Sequence, residues 1–156
     1  MANFQISLQN KSAWNVDSNR ILETARFVMG EIGLNPFSKL VVQFVNLDEM
    51  ERLHIQHMDE PGATDVLSFP MDEMRAPAAG EVAKPGYLGD IILCPEFARD
   101  QAAANGNSAD AELDMLLTHG ILHLLGHDHY EVEEHKIMFG LQNDLLAKLA
   151  SNRGEI

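Results

Sequence analysis

The sequence predicts a single α+β domain, in which a small mixed β-sheet of about four strands packs against about five helices. The 156 residues suit one domain of ordinary size, and 46% of them are hydrophobic, which is enough to build a core. Four segments show strand-like patterns and five longer segments show helical patterns. No repeat or linker divides the sequence, so we expect residues 1–156 to form one domain.

The first half of the chain alternates strands and helices. The apolar periodicity and the turn signals predict a strand over 4–8, a helix from Asp17 or Ser18 to about Gly33, a strand over 40–46, a helix over 47–57 and a turn-rich loop over 58–63. The second strand is mostly apolar, and such a strand is usually buried on both faces. We therefore expect it to be central in the sheet.

The second half begins with two strands and ends with three helices. The patterns predict a strand over 64–69 that Pro70 stops, an exposed loop over 71–86, a strand over 87–93, a helix from Pro95 to about Ala104, a helix that begins near Ser108 and ends at Gly126, and a helix over 131–150. The two strands are expected to form a hairpin, with Gly89 permitting a bulge or a close backbone approach. The helix that begins near Ser108 is apolar nearly all round, so we expect it to be central.

The net charge of −13 argues against a nucleic-acid binder that uses a simple basic groove. The single cysteine, Cys94, excludes an internal disulfide, and its apolar neighbours predict a core position. The N-terminal sequence lacks the features of a secretory signal, and no run approaches the ~20 apolar residues of a membrane helix. The sequence therefore predicts a soluble, cytoplasmic protein without a membrane partner.

Three histidines, two near the end of the helix that begins near Ser108 and one just after it, have the spacing of a metal site. His119, His123, Gly126 and His129 follow the pattern H-x-x-x-H-x-x-G-x-x-H, which a group of zinc proteases shares. Residues four apart on a helix lie on one face, and a glycine with positive φ lets the chain fold back to bring in a third imidazole. Three neutral imidazoles suit one Zn²⁺ per chain and leave a fourth position for water. The proteases carry a glutamate after the first histidine, whereas this chain has Gly120.

The sequence leaves two alternatives open for Asp128. Its carboxylate can orient a liganding imidazole, or it can cap the last helix. His127 is expected to point away from His129. His135, on the last helix, is expected to be solvated or to lie just outside the ligands.

The segment HGILHLLGHDH (119–129) resembles the signature of the YbeY family of bacterial endoribonucleases, H-G-x-L-H-L-x-G-x-D-H. TDVLSFP (64–70) and LGDI (88–91) agree with further family segments in the same order. The resemblance implies that His119, His123 and His129 bind zinc in a cleft of a mixed α+β fold. It also implies hydrolysis of single-stranded RNA, with a role in maturation of the 3′ end of small-subunit ribosomal RNA and in ribosome quality control.

The chain departs from the family pattern in the loop before TDVLSFP. Many relatives carry an arginine there that is thought to face RNA, whereas this chain has Met58 or Asp59 at that place. Neither side chain can form the bidentate contacts that a guanidinium makes with phosphate. Arg52, Arg75 or Lys84 could supply the missing cation.

Candidate substrate contacts and candidate general bases complete the site that the sequence predicts. Thr64 and Ser68 carry hydroxyls that could meet a phosphate, beside Arg52. Zinc would acidify a water toward a pKa of ~7, and a carboxylate must then accept its proton. The candidate bases are Asp128, Asp59 and Glu60. Asp90, in LGDI, is expected to be structural.

Two other functions compete with the endoribonuclease. A zinc protease shares the histidine spacing, but Gly120 removes its usual base. A non-catalytic ribosome assembly factor would use zinc only to hold the last two helices together. The acidic charge also suggests that a basic ribosomal protein of the small subunit delivers the chain to its RNA.

Overall fold

The computed structural model describes residues 4–58 and 65–155, apart from the side chains of residues 57 and 58, and it confirms the α+β prediction. Four strands and five helices follow in the order β1 (Gln5–Asn10), α1 (Ser18–Ile32), β2 (Lys39–Phe44), α2 (Leu47–Met58), β3 (Val66–Pro70), β4 (Tyr87–Leu93), α3 (Pro95–Asn105), α4 (Ala109–Leu124) and α5 (Val132–Arg153). Most of the loop predicted over 58–63 lies outside the described residues, as does Thr64.

The strands form one mixed sheet in the order β1-β2-β4-β3. The β1–β2 and β2–β4 pairs are parallel, and β3 is antiparallel to β4. This order confirms the central position of β2 and the pairing of the third and fourth strands. Pro70 is the last residue of β3 rather than the residue that stops it. The strand tolerates proline because β3 lies at the edge of the sheet.

Gly89 has both of the roles predicted for it. The pairing of β4 with β2 passes from Tyr87 to Gly89 and leaves Leu88 as an extra residue, which is a bulge. A Cβ at Gly89, where φ is +144°, would lie 2.2 Å from the carbonyl oxygen of Phe69 and 2.9 Å from Cδ2 of Leu124. Only glycine therefore allows the last turn of α4 to approach the β3–β4 hairpin this closely.

Helix α4 is central, as its sequence predicts. It begins after Ser108, whose side chain accepts a hydrogen bond from the backbone N–H of Ala111 at 3.1 Å. It contacts α1, α3, α5, β3 and β4. Its apolar side chains belong to the main core, together with inward-facing residues of the sheet and of α1. Cys94 is fully buried, as predicted. Within the described residues, no helix is long and apolar enough to cross a membrane.

A buried ion-pair network fixes α4 between the first and last helices. The carboxylate of Asp114 accepts hydrogen bonds from Arg20 of α1 at 2.8 Å and from Arg153 of α5 at 2.7 Å. It also accepts a hydrogen bond from the hydroxyl of Thr24 at 2.8 Å. Because one carboxylate joins three helices, the end of α5 has a defined position beside the N-terminal half of α4.

Candidate metal centre

The fold brings the three predicted histidines together. His119 and His123 lie one turn apart near the end of α4, and His129 follows in the turn before α5. The Nε2 atoms of His119 and His123 are 3.0 Å apart. One ring nitrogen from each of the three histidines lies within 4.8 Å of the others. Within the described residues, this histidine cluster is the group of His, Cys, Asp or Glu side chains that can hold a metal ion.

The turn after α4 directs His129 back toward the helix. Gly126 has a φ of +92°, a left-handed conformation that favours glycine. The backbone N–H of His127 then donates to the carbonyl of Leu122 at 3.0 Å, which closes the turn. The carboxylate of Asp128 accepts a hydrogen bond from the backbone N–H of His129 at 2.8 Å. The sequence pattern therefore predicted both the reversal of the chain and its cause.

The geometry and charge state of the cluster suit a metal such as Zn²⁺. Bonds of ~2.1 Å in a tetrahedral site set the ligand nitrogens roughly 3.4 Å apart. The His119–His123 pair is already near that spacing, and His129 is the exposed member of the cluster. Burial lowers the pKa of both His119 and His123. Both imidazoles therefore stay neutral to lower pH than a free histidine, and neutral imidazole is the form that binds metal.

The histidines open into a pocket of about 360 Å³ between α4, the edge strand β3 and the turn before α5. The pocket is lined by Asp65, Val66, Leu67, Ser68, Pro70, His119, His123, Asp128, His129 and Tyr130. No lysine or arginine is among these described lining residues. Two carboxylates, Asp65 and Asp128, face the same pocket as the three imidazoles.

Gly120 faces the sheet rather than the pocket. A Cβ at this position would lie 3.1 Å from Cδ1 of Ile91 and 3.2 Å from the hydroxyl oxygen of Ser68. That hydroxyl donates a hydrogen bond of 3.4 Å to the Gly120 carbonyl, so β3 and α4 are in direct contact there. The residue after His119 is therefore part of the helix–sheet packing, and the position that holds a glutamate in the zinc proteases has no space for one.

Comparison with known proteins identifies the family. A family model described as "Endoribonuclease YbeY" matches residues 5–150. The chain belongs to the YbeY family. A relative named Endoribonuclease YbeY from Thermobifida fusca is 48% identical over 142 residues, which cover 91% of this chain and 92% of that protein. Another of the same name, from Streptomyces griseus, is 51% identical, with 88% of this chain and 85% of that one covered. The membership that the three sequence segments predicted is thus confirmed.

A solved structure supports the same fold. The solution structure of a Thermotoga maritima protein is 26% identical to this chain, with a TM-score of 0.62. The match covers 97% of this chain and 93% of that one.

The other predicted site residues are distributed over several surfaces. Ser68 and Asp128 line the histidine pocket, whereas Thr64 lies outside the described residues. Arg52 lines a separate cavity on α2, where Glu49 accepts two hydrogen bonds from its guanidinium. The two other candidate cations, Arg75 and Lys84, line a third cavity in the 71–86 loop.

Asp90 does not approach the metal site. Its carboxylate accepts a hydrogen bond from the hydroxyl of Tyr87, three residues earlier on β4. Burial and this contact raise the pKa of Tyr87 to about 12. Asp90 also lines the cavity that contains Arg52, away from the three histidines. The structural role predicted for Asp90 agrees with this position.

The structure also shows where the remaining polar neighbours of the cluster, His127, His135 and Asp128, lie. His127 lines a different cavity, beside Ile32 and Leu141, so it points away from the cluster as predicted. His135 is exposed and stacks on Phe139, with ring centroids 4.3 Å apart. The capping alternative for Asp128 is wrong, because Glu131 occupies the N-cap position of α5.

The sequence did not reveal Gln142 as part of the site. Gln142 of α5 is buried, and its side-chain oxygen lies 2.8 Å from Nδ1 of His119. A signal was present, because the buried stripe of α5 consists of Met138, Gln142, Leu145 and Leu149. A polar side chain within such a stripe needs a partner.

Proposed function

We propose that this chain is a zinc-dependent, single-strand-specific endoribonuclease of the cytoplasm, a hydrolase that cleaves RNA phosphodiesters. Its proposed role is maturation of the 3′ end of small-subunit ribosomal RNA and ribosome quality control. The observation that carries the proposal is the convergence of three imidazoles in an open pocket, in a family whose relatives bear the name endoribonuclease.

His119, His123 and His129 would hold the zinc, and the pocket would admit water and a phosphate to the remaining position. When bound, zinc supplies a Lewis acid that acidifies water and withdraws charge from a phosphate oxygen. The described side chains of the pocket that could accept a proton from water are the carboxylates of Asp128 and Asp65. Asp128 is one of the three candidate bases predicted from the sequence; the other two, Asp59 and Glu60, lie outside the described residues.

The chain's own contacts to RNA are proposed at three positions. Ser68 has the best placement, because it lines the pocket. Thr64 precedes the same strand. Arg52 would contact RNA outside this pocket, and its guanidinium would first have to release Glu49.

A cleavage assay with matched variants tests the activity. The protein is stripped of metal with a chelator, reconstituted with zinc, and given single-stranded RNA, duplex RNA and a peptide. We expect zinc to restore cleavage of single-stranded RNA alone. His119→Ala should abolish both zinc binding and cleavage, whereas His127→Ala, which alters a different cavity, should preserve both. Cleavage by the metal-free protein, or by His119→Ala, would refute the proposal.

The same variants separate catalysis from a scaffold role. If zinc only holds helices together, His119→Ala lowers the melting temperature while the wild type never cleaves RNA. The chemistry of the product ends is also informative. Attack by water leaves no 3′ cyclic phosphate, whereas attack by the RNA 2′-hydroxyl produces one.

The charge of the chain bears on the ribosomal role. A protein with a net charge of −13 is repelled by free RNA at long range but is attracted to a basic ribosomal protein. We expect tighter binding to small ribosomal subunits than to free ribosomal RNA, measured by co-sedimentation. Equal affinity for the two would contradict delivery by a ribosomal protein.

A further inference from the structure

Gln142 is the polar member of an otherwise apolar stripe of buried residues on α5. It lies in the stripe of α5 that faces the core, and only 3% of its surface is exposed. Burying an amide is unfavourable unless its polar atoms are hydrogen-bonded, so leucine or methionine would suit simple packing better. The position therefore needs a reason other than core packing.

The contact with His119 supplies that reason. The side-chain oxygen of Gln142 lies 2.8 Å from Nδ1 of His119, and the other ring nitrogen, Nε2, lies 3.0 Å from Nε2 of His123. Nε2 is therefore the nitrogen of His119 that faces the cluster. A nitrogen that binds a metal must offer a lone pair, so the proton of a neutral His119 has to be on Nδ1. In that tautomer the ring donates and Gln142 accepts.

We propose that Gln142 is a positioning residue, which fixes the tautomer and the ring orientation of His119 for metal binding. This inference rests on the proposed metal site, not on which substrate is cleaved. Partners of this kind change metal affinity by about 10–100-fold when they are removed.

The surroundings hold Gln142 in place. Phe139, one turn earlier on α5, lies with its ring centroid 5.6 Å from that of His119, so two residues of α5 contact the imidazole. The far end of α5 is bound to α4 through Arg153 and Asp114. These contacts keep the amide at a fixed distance from the ring, which a mobile surface residue could not do.

Substitutions that differ only in hydrogen bonding test the proposal. Gln142→Met keeps the length of the side chain but cannot accept a comparable hydrogen bond, whereas Gln142→Glu accepts even more strongly. Asn143→Met, on the exposed side of the same turn, is the matched control. Zinc dissociation constants are measured by competition with a coloured chelator. We expect Gln142→Met to weaken zinc binding by 10–100-fold, while Gln142→Glu binds at least as tightly as the wild type and Asn143→Met is unchanged.

The result with glutamate decides the direction of the hydrogen bond. If the amide instead donated its N–H to Nδ1, a carboxylate would be a poor replacement and Gln142→Glu would weaken binding as much as Gln142→Met. Either that result or unchanged zinc binding by Gln142→Met would overturn the proposal.

The tautomer can be read directly without relying on any variant that folds poorly. Nitrogen-15 NMR of the metal-free wild type should show the His119 proton on Nδ1, and a proton on Nε2 would overturn the inference. Neither measurement uses RNA. If zinc affinity follows Gln142 but no RNA is cleaved, the proposed function fails and the role of Gln142 stands. If RNA is cleaved but the substitutions at Gln142 leave zinc affinity unchanged, the role of Gln142 fails and the proposed function stands.

Discussion

Replacing Gly120 tests whether this position belongs to the helix–sheet contact rather than to the chemistry. A Cβ there would lie 3.1 Å from Ile91 and 3.2 Å from Ser68, which is closer than ordinary van der Waals contact. Gly140 on α5 is the matched control, because it is also inside a helix but a Cβ there has nothing within 4 Å. The same substitution therefore changes helix propensity equally at the two sites and packing at only one.

The two alanine substitutions should therefore differ in their effect on the free energy of unfolding. Gly→Ala inside a helix gains about 1 kcal/mol from propensity, so Gly140→Ala should stabilise the protein by about that amount. Overpacking a closed contact costs about 1–3 kcal/mol, so Gly120→Ala should be neutral or destabilising by up to about 2 kcal/mol. Gly120→Glu forces a carboxylate against Ile91 and should lose several kcal/mol more, because the charge is buried without a partner.

Urea denaturation followed by circular dichroism measures these values, since each variant is compared with the wild type under the same conditions. If Gly120→Ala stabilises the protein as much as Gly140→Ala does, the packing argument is wrong. Gly120→Glu also tests the protease alternative. A folded Gly120→Glu protein that cleaves peptides would show that this position can face the metal after all.

Three further substitutions test other parts of the structure. Asp114→Ala leaves two arginines of the buried network without their carboxylate and should cost about 3–5 kcal/mol in urea denaturation. Burial is the main cause that raises the pKa of Glu112, so the ionised carboxylate destabilises the fold as pH rises. The Glu112→Gln variant should therefore be more stable than the wild type at pH 7 and equally stable at pH 4. The pKa of Tyr87 is raised to about 12, above its unfolded value of ~10. The stabilisation that results from this shift is therefore complete below pH ~10 and is lost as pH rises through about 12. The difference in unfolding free energy between wild type and Tyr87→Phe should accordingly shrink over that interval, and a difference that stays constant would contradict the shift.

The parts of the site that the sequence predicted are those set by local geometry. His119 and His123 are one helical turn apart, and Gly126 is the residue type that lets the chain reverse toward His129. Such relations depend on a few consecutive residues, so spacing and residue type reveal them. The same reasoning explains why Ser108 is the predicted start of α4 and why Asp17 is one of the two predicted starts of α1.

The parts that escaped prediction depend on packing between distant segments. Gln142 reaches His119 from a separate helix 23 positions along the chain, and helix periodicity does not show how α5 is rotated against α4. Asp65 joins the pocket because β3 occupies the sheet edge beside α4, which no local pattern specifies. The closeness of Arg52 to TDVLSFP in the sequence suggests a place beside the site, yet α2 carries Arg52 to another cavity.

The position of α4 limits which groups of the pocket can accept a proton from water and which can attract a phosphate. One side of the helix is closed against the sheet at Gly120, so α4 supplies imidazoles but no carboxylate next to them. The described carboxylates of the pocket, Asp65 and Asp128, come from the strand and the turn on either side. No described lining residue is cationic. The described side chains of the pocket would therefore repel a phosphate unless a cation is bound to the three histidines. In the proposed enzyme, a zinc ion held by His119, His123 and His129 would supply both the attraction for phosphate and the Lewis acidity, so loss of zinc should weaken RNA binding and cleavage together.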